Sequence, residues 1–237
     1  MELLSLLAYG DTGWGDELLR GLGVTLAIAF TTAPFALLFS FLIAWGKAVK
    51  NPVIRVFSNG YTTIFRSLPE LLTLLIIYYQ LQSIINAVIH LVFPDVNVSL
   101  NAFAAGVLAL TLVFSALGSE VVRSAYQAVG KGQAEAAAAL GLNRRHSFFR
   151  IVLPQMWRHC VPAFGNLWLI LLKDTALVSV IAISDLVRYA NMAIATTKEP
   201  FFFYSVLAII FIILAFLSSL VQTHIERRTS ANLQGGR

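Results

Sequence analysis

The segment GLGVTLAIAFTTAPFALLFSFLIAW, residues 21–45, contains no charged side chain. As a helix it is long enough to cross the apolar core of a bilayer, which takes about 20 residues. The whole chain of 237 residues is 58% hydrophobic and 12% charged, which is about half the charged fraction of an ordinary soluble domain. A soluble fold of this size could not bury so much apolar surface. The sequence therefore predicts an integral membrane protein.

Four further apolar blocks have a similar length and run approximately over residues 67–93, 101–126, 154–183 and 201–224. In the second block, Pro69 predicts a kink or a helix start, because proline lacks the amide that a helix interior needs. We therefore predict an all-α integral membrane fold with about five transmembrane helices. The single cysteine, Cys160, excludes an internal disulfide, and the four histidines lack metal-ligand spacing, so no metal site is predicted.

Positive charge distinguishes the two sides of the membrane, because cytoplasmic loops near the spans are enriched in Lys and Arg. Cations concentrate in the first and third connections and at the C-terminus: Lys47, Lys50, Arg55, Arg66, Lys131, Arg144, Arg145, Arg150, Arg227, Arg228 and Arg237. In the other polar segments, acids balance or outnumber the cations. We predict an external N-terminal segment (residues 1–19), a transmembrane domain (20–225) and a cytoplasmic tail (226–237) that is disordered from Thr229 onward.

The third connection, about residues 127–154, is predicted to form a helical elbow on the cytoplasmic side. Its sequence GKGQAEAAAALG is rich in alanine, the best helix former, and its last residue, Gly141, stands where a helix C-terminus favours glycine. Asn143 can cap a second helical segment, and Pro154 is tolerated in the first turn of the fourth span.

The composition of the elbow suits contact with another protein. Small alanines permit close approach of a partner, and the basic rim of Arg144, Arg145 and Arg150 can pair with its acids. The elbow could equally be a plain connection whose arginines follow the charge rule.

A short motif within the elbow is more specific, and it consists of Glu135, Ala136, Ala137, Gly141, Ile151, Leu153 and Pro154. In residue type and spacing it resembles the EAA signature of the membrane permease subunits of ABC importers. Segments 21–26, 61–69 and 172–179 are similar to the polar amino acid subfamily of these permeases, and most similar to its histidine, arginine and opine permeases. The resemblance covers nearly the whole chain.

The resemblance implies a type I ABC importer fold in the bacterial inner membrane, with the elbow as a coupling helix that docks on a separate ATP-binding cassette subunit. The implied coupling residues are Glu135, Ala136, Ala137, Gly141, Arg144, Leu153 and Pro154. Glu135 would make polar contacts with that subunit, while Ala136 and Ala137 would permit close approach. Gly141 would set the turn. Further implied partners are a second identical or homologous permease subunit, a periplasmic solute-binding protein, and an amino acid or opine substrate.

No phosphate-binding loop of the form G-x-x-x-x-G-K-[ST] occurs in the sequence. The chain is therefore predicted to be a transport subunit rather than an enzyme, without a cofactor of its own, and ATP with Mg²⁺ is expected to be used by the partner subunit. Nucleic-acid binding is not expected, because the basic residues lie between apolar blocks rather than along one face.

Two other function classes remain as alternatives. A self-sufficient secondary transporter or channel often has inverted repeats, yet no matched pair of broken spans is evident. An intramembrane enzyme would need a His and an acid at the depth of Ser119 or Ser179, and none is evident.

Four ionisable side chains are predicted at membrane depth, namely Glu70, Glu120, Lys173 and Asp174. Such residues are costly in lipid, so they usually face a cavity or a partner and mark a transport path. The acids are expected to meet the cationic group of a substrate, and Lys173 its carboxylate. Alternatively, Glu120 pairs with Arg123 on its own helix. Depth is expected to separate Glu70, near the inner end of its span, from Lys173, deep within another.

Glu70 and Asp174 also depart from the commonest pattern of the family that the chain resembles. An apolar residue often follows the proline there, and serine is frequent at the position of Asp174. Both departures could tune substrate choice or serve helix pairing. The exact substrate and the identity of the second permease subunit stay open.

Overall fold

The computed structural model describes residues 2–10, 13–91, 93, 96, 101–181 and 183–231, and all regular structure in this part of the chain is helical. Its α-helices are α1 (Glu2–Ser5), α2 (Gly15–Ala48), α3 (Pro52–Ser67), α4 (Glu70–His90), α5 (Ala102–Ala128), α6 (Lys131–Ala139), α7 (Arg144–Ser147), α8 (Leu153–Asp174), α9 (Leu186–Thr197) and α10 (Pro200–Ala231). A π-helical turn, Phe148–Val152, joins α7 to α8, and a 3-10 helix, Thr175–Ile181, follows α8.

Five helical segments are long and apolar enough to cross a membrane: Gly15–Ala48, Glu70–His90, Ala102–Ala128, Arg144–Ile181 and Pro200–Thr229. Each of them overlaps one of the five apolar blocks of the sequence. The predicted all-α fold with five transmembrane helices is therefore confirmed.

Helix α5 lies at the centre of the bundle, and 61% of the residues in its most apolar stretch are buried. Small residues allow this close packing. Gly118 of α5 leaves no room for a side chain beside Ser40 of α2 and Phe164 of α8. Helices in membranes commonly approach one another through such small residues.

The sequence does not predict helix α3, because the cations in its region indicate a polar connection. It packs against α5: the hydroxyl of Tyr61 donates to the Leu112 carbonyl at 2.8 Å and hydrogen-bonds Ser115 Oγ at 2.7 Å. Leu112 lies about 15 Å along α5 at 1.5 Å per residue, which is close to the middle of that helix. The second half of α3 is therefore part of the membrane-spanning bundle.

Pro69 separates α3 from α4, as the prediction of a helix start at this proline required. Leu68 is extended, with φ −86° and ψ 138°, and α4 begins at Glu70 immediately after the proline. The second half of α3 packs along α5 inside the bundle. Helix α4 therefore begins deeper in the bundle than predicted, since the sequence places Glu70 near the inner end of its span.

Helical structure extends across both predicted boundaries of the transmembrane domain, which stay predictions. Helix α2 begins at Gly15, so the predicted limit at residue 19 falls inside a helix. Helix α10 continues to Ala231, so the predicted disorder is wrong for residues 229–231. Residues 232–237 lie outside the described residues.

Helix α9 packs across the end of α2 opposite to the elbow. The backbone amide of Leu186 donates to Thr25 Oγ1 at 3.2 Å. Gly21 makes the contact possible, because a Cβ atom there would lie 2.8 Å from the carbonyl oxygen of Asp185. Asp185 begins α9 as its N-cap, and its Oδ1 accepts from the Arg188 amide at 2.9 Å.

Candidate coupling elbow and intramembrane charges

The elbow is built from α6 and α7 with a tight turn between them. Helix α6 ends in a Schellman motif: the amide of Leu142 donates to the Ala137 carbonyl and that of Gly141 to the Ala138 carbonyl, both at 3.0 Å. Gly141 has φ +78°, a left-handed conformation that favours glycine. The predicted helix end at Gly141 is therefore confirmed.

The second arm of the elbow also begins as predicted. Asn143 Oδ1 accepts from the amide of His146 at 2.9 Å and caps α7. Helix α7 continues through the π-helical turn into α8, and Pro154 stands in the first turn of α8. The side chain of Gln155 donates to Gln133 Oε1 at 3.3 Å, which ties the start of α8 back to α6.

A cleft of about 690 Å³ lies inside the elbow, between the end of α5, α6 and α7. We call it the coupling cleft. Its lining includes Glu135, Ala138, Arg144 and Phe148. Two predicted coupling residues, Glu135 and Arg144, are therefore brought to one concave surface.

The other predicted coupling residues are distributed around this cleft. Ala136 is exposed, and Leu153 and Pro154 are half-buried. Ala137 is only 1% exposed, so its small size serves packing within this chain. Its expected role in the close approach of an ATPase subunit stays a prediction.

Glu120 forms an ion pair that the sequence did not suggest. Lys47 Nζ of α2 lies 2.7 Å from Glu120 Oε1 of α5 and donates to Ser119 Oγ at 2.8 Å. The Lys47 side chain is 4% exposed and that of Glu120 is 31% exposed. The pair thus joins two helices, rather than Glu120 and Arg123 on one helix. Contact of Glu120 with substrate stays a prediction.

Hydroxyl groups continue this polar contact toward the middle of the bundle. Thr62 of α3 lies 3.4 Å from Ser119 across the α3–α5 contact, with their hydroxyls facing each other. Tyr61 and Ser115 form the next link. No sequence signal revealed these pairings, since each partner lies on a different helix.

Glu70 and Asp174 lie close enough for their charges to repel each other, although 103 positions separate them in the sequence. Glu70 is the first residue of α4 and Asp174 the last of α8. The expectation that depth separates Glu70 from Lys173 is therefore wrong, because Lys173 adjoins Asp174. The two acids that depart from the family pattern are therefore within range of each other's charge.

The charged group formed by Glu70, Lys173 and Asp174 lies well inside the bundle. Leu171 of α8 packs in the same cluster as Leu110 of α5, about 12 Å from the start of that helix. Lys173 is exposed on this isolated chain, while both acids are half-buried. Within the described residues the three form no ion pair at 4 Å or less. In the same part of the chain no group of three His, Cys, Asp or Glu could hold a metal ion.

The sequence profile of one protein family matches residues 36–231, and the family is described as the binding-protein-dependent transport system inner membrane component. The match includes the elbow and four of the five spans in full. The chain belongs to this family. It is a membrane-spanning permease subunit of an ABC importer, as the elbow motif predicted.

Similar permeases match nearly the whole chain. The octopine transport system permease protein OccQ of Rhizobium meliloti is 36% identical over 100% of both chains. The histidine/lysine/arginine/ornithine transport system permease protein HisQ of Escherichia coli is 34% identical over 94% of this chain and 97% of its own. A chain of a solved amino acid ABC transporter with histidines has a TM-score of 0.80 and 31% identity, and the match covers 91% of this chain and 95% of that one.

Proposed function

We propose that this permease subunit imports a polar amino acid that carries a positive charge, or an opine derived from such an amino acid. The proposal is supported by Glu70 lying within range of the charge of Asp174, which adjoins Lys173 in the sequence. Two carboxylates suit a cationic side chain, and a lysine suits a carboxylate of the solute. The excess of acid over base favours a cationic or zwitterionic solute over an anion.

The similar permeases support the same substrate class. They belong to transport systems for octopine, for nopaline, and for histidine, lysine, arginine and ornithine. Arginine, lysine and ornithine each combine a cationic side chain with a carboxylate, which is the pattern of charge that the site complements.

The exposure of Lys173 supports a path completed by a second permease subunit, identical or homologous. An ammonium group at membrane depth is costly when lipid surrounds it. A partner subunit that covers this face would enclose Lys173 in a polar path between the two chains. The same partner would turn the half-open site of Glu70 and Asp174 into an enclosed one.

Energy for transport is proposed to come from two separate ATP-binding cassette subunits that use ATP with Mg²⁺. These subunits would dock at the coupling cleft, where Glu135 and Arg144 offer charge of both signs and Ala136 offers a small exposed surface. The chain itself would move solute without making or breaking bonds, so it is proposed to have no ATPase site or cofactor of its own.

The proposed orientation puts the elbow and the C-terminus in the cytoplasm and the N-terminus outside the bacterial inner membrane. A periplasmic binding protein would deliver the solute to the end of the bundle where α9 lies. Closure of the ATPase subunits would move the elbow, and the continuous helical run from α7 to α8 would transmit that motion toward Asp174.

Uptake into liposomes tests the substrate proposal. Wild-type transporter, with its co-purifying subunits, is compared with Glu70→Gln and Asp174→Asn for uptake of radiolabelled arginine and for competition by histidine, octopine and glutamate. Glu199→Gln, an exposed acid near the predicted outer end, is the matched control. We expect each site variant to weaken arginine transport about tenfold, the loss of one charge interaction of about 1.4 kcal/mol. Unchanged affinity and selectivity in both site variants would remove these acids from the substrate site.

A further inference from the structure

The basic rim of the elbow is divided between two faces of one helix. Arg144 lines the coupling cleft together with Glu135. Arg145 and Arg150 line a second cleft, of about 410 Å³, which shares no lining residue with the first. Arg144 therefore has different surroundings from Arg145 and Arg150.

The second cleft is lined by four residues: Arg145, His146, Phe149 and Arg150. We call this group the basic cluster. Its members follow the spacing i, i+1, i+4 and i+5, which is one face of a helix with 3.6 residues per turn. The π-helical turn Phe148–Val152 includes Phe149 and Arg150, and such turns frequently occur at functional sites.

The basic cluster contains positive charge and one exposed aromatic ring. Both arginines are exposed and form no ion pair with the described residues, and no acid lines the cleft. Phe149 is 57% exposed between them. His146 Nδ1 is hydrogen-bonded to Asn143 Oδ1 at 2.8 Å, which holds the imidazole in place. The cluster suits a ligand with an anionic group beside an apolar body.

The cluster lies at the cytoplasmic end of the fourth membrane-spanning segment in the proposed orientation. It occupies the first two turns of the helical run Arg144–Ile181, whose apolar part lies further along. Trp157, two turns beyond Phe149, is 42% exposed, and tryptophan is enriched at the boundary between lipid and water. Arginines at this level on the cytoplasmic side attract anionic lipids.

We propose that Arg145, His146, Phe149 and Arg150 bind the phosphate headgroup of an anionic phospholipid in the cytoplasmic leaflet. Arg145 and Arg150 contact the phosphate, and Phe149 lies against the glycerol and upper acyl chains. The inference rests on the proposed orientation of the elbow. It differs from a contact with the ATPase subunit, because the coupling cleft is on the opposite face of α7.

Lipid binding to the purified transporter tests this site. Native mass spectrometry counts phosphatidylglycerol and phosphatidylcholine retained by the full transporter in detergent, with titration of each lipid. The site variant is Arg145→Gln/Arg150→Gln. The matched control is Arg227→Gln/Arg228→Gln, which removes two exposed cations near the C-terminal end of α10. Arg145→Lys/Arg150→Lys keeps the charge and reports whether the variants fold and assemble.

We expect the site variant to lose at least tenfold in affinity for phosphatidylglycerol, at about fivefold for each cation. The control should change less than twofold, the lysine variant should retain most of the binding, and phosphatidylcholine binding should stay unchanged. Equal losses in site and control variants would overturn the proposal in favour of diffuse charge attraction. Displacement of the lipid by millimolar inorganic phosphate would overturn it in favour of a free-anion site. Loss of the ATPase subunits with lipid binding unchanged would instead assign the two arginines to the subunit interface.

Discussion

Glu120→Ala is expected to destabilise the helix bundle more than Lys47→Met, although the two residues form one ion pair. The Lys47 side chain is 4% exposed, whereas that of Glu120 is 31% exposed. Removal of the carboxylate leaves a buried ammonium group with the Ser119 hydroxyl as its remaining partner among the described residues. Removal of the ammonium group leaves a carboxylate that the chain buries only in part.

The magnitudes follow from this difference in burial. Removing one partner of a fully buried ion pair costs about 3–5 kcal/mol. Because Glu120 is partly exposed, we expect about 2–4 kcal/mol for Glu120→Ala, and about 1 kcal/mol for Lys47→Met. The double variant removes both charges, so it should be more stable than Glu120→Ala alone. The coupling free energy of the double-mutant cycle should be about 1–3 kcal/mol.

Denaturant-induced unfolding in mixed micelles measures these free energies for wild type, both single variants and the double variant. The control cycle uses Asp16→Ala and Arg20→Met, an ion pair at 3.8 Å in which the arginine is 71% exposed. That cycle should give less than about 1 kcal/mol of coupling. A Lys47→Met variant that is less stable than Glu120→Ala, or a cycle without coupling, would refute the reasoning.

Two further predictions concern the contact between α2 and α9. Gly21→Ala should lower the free energy of unfolding by about 1–3 kcal/mol, because its methyl group would meet backbone atoms at 2.8 Å. The control is Gly23→Ala, whose methyl group meets nothing within 4 Å, so this variant should be neutral or slightly stabilising. Thermal unfolding of both variants measures the difference. For Asp185, burial raises the pKa to about 6 from an ordinary value of 3.8, so the folded state binds more protons than the unfolded state between these values. The free energy of unfolding should therefore fall as the pH rises from about 4 to 6, by up to about 3 kcal/mol. Asp185→Asn keeps the helix cap and should flatten this pH profile. A wild-type free energy of unfolding that rises over the same pH range would contradict the assignment.

The transmembrane architecture could be predicted because it depends on local composition. The uncharged block at residues 21–45 and its four counterparts are each longer than the bilayer core requires. The end of α6 was predictable for the same reason, since alanine propensity and the backbone of Gly141 act within a few residues.

What could not be predicted depends on which helices become neighbours. Helix α3 contains Arg55 and Arg66, which made it look like a cytoplasmic loop, and its packing through Tyr61 became visible only beside α5. The charge rule assigns Lys47 to a cytoplasmic loop, although its side chain is buried against Glu120. A single sequence contains no signal for such pairings between distant residues.

For the intramembrane acids, the sequence predicts which residues are candidates for the site but not which of them become neighbours. Their cost in lipid marked Glu70 and Asp174 as candidates. The two acids come close because α3 packs along α5 and α4 begins immediately after Pro69. The packing of α3 is a tertiary feature. Residue chemistry therefore identified the members of the site, and only the fold brought them together.

ATP-dependent uptake of radiolabelled arginine into liposomes, with wild type and Glu135→Arg compared at matched levels of assembled transporter, tests the central claim most directly. If the chain is a permease subunit driven through its elbow, wild-type uptake requires ATP inside the compartment that faces the ATPase subunits, and it collapses in the variant although the subunits still co-purify. Uptake that proceeds on an ion gradient without ATP, or that is indifferent to Glu135→Arg, would contradict this account.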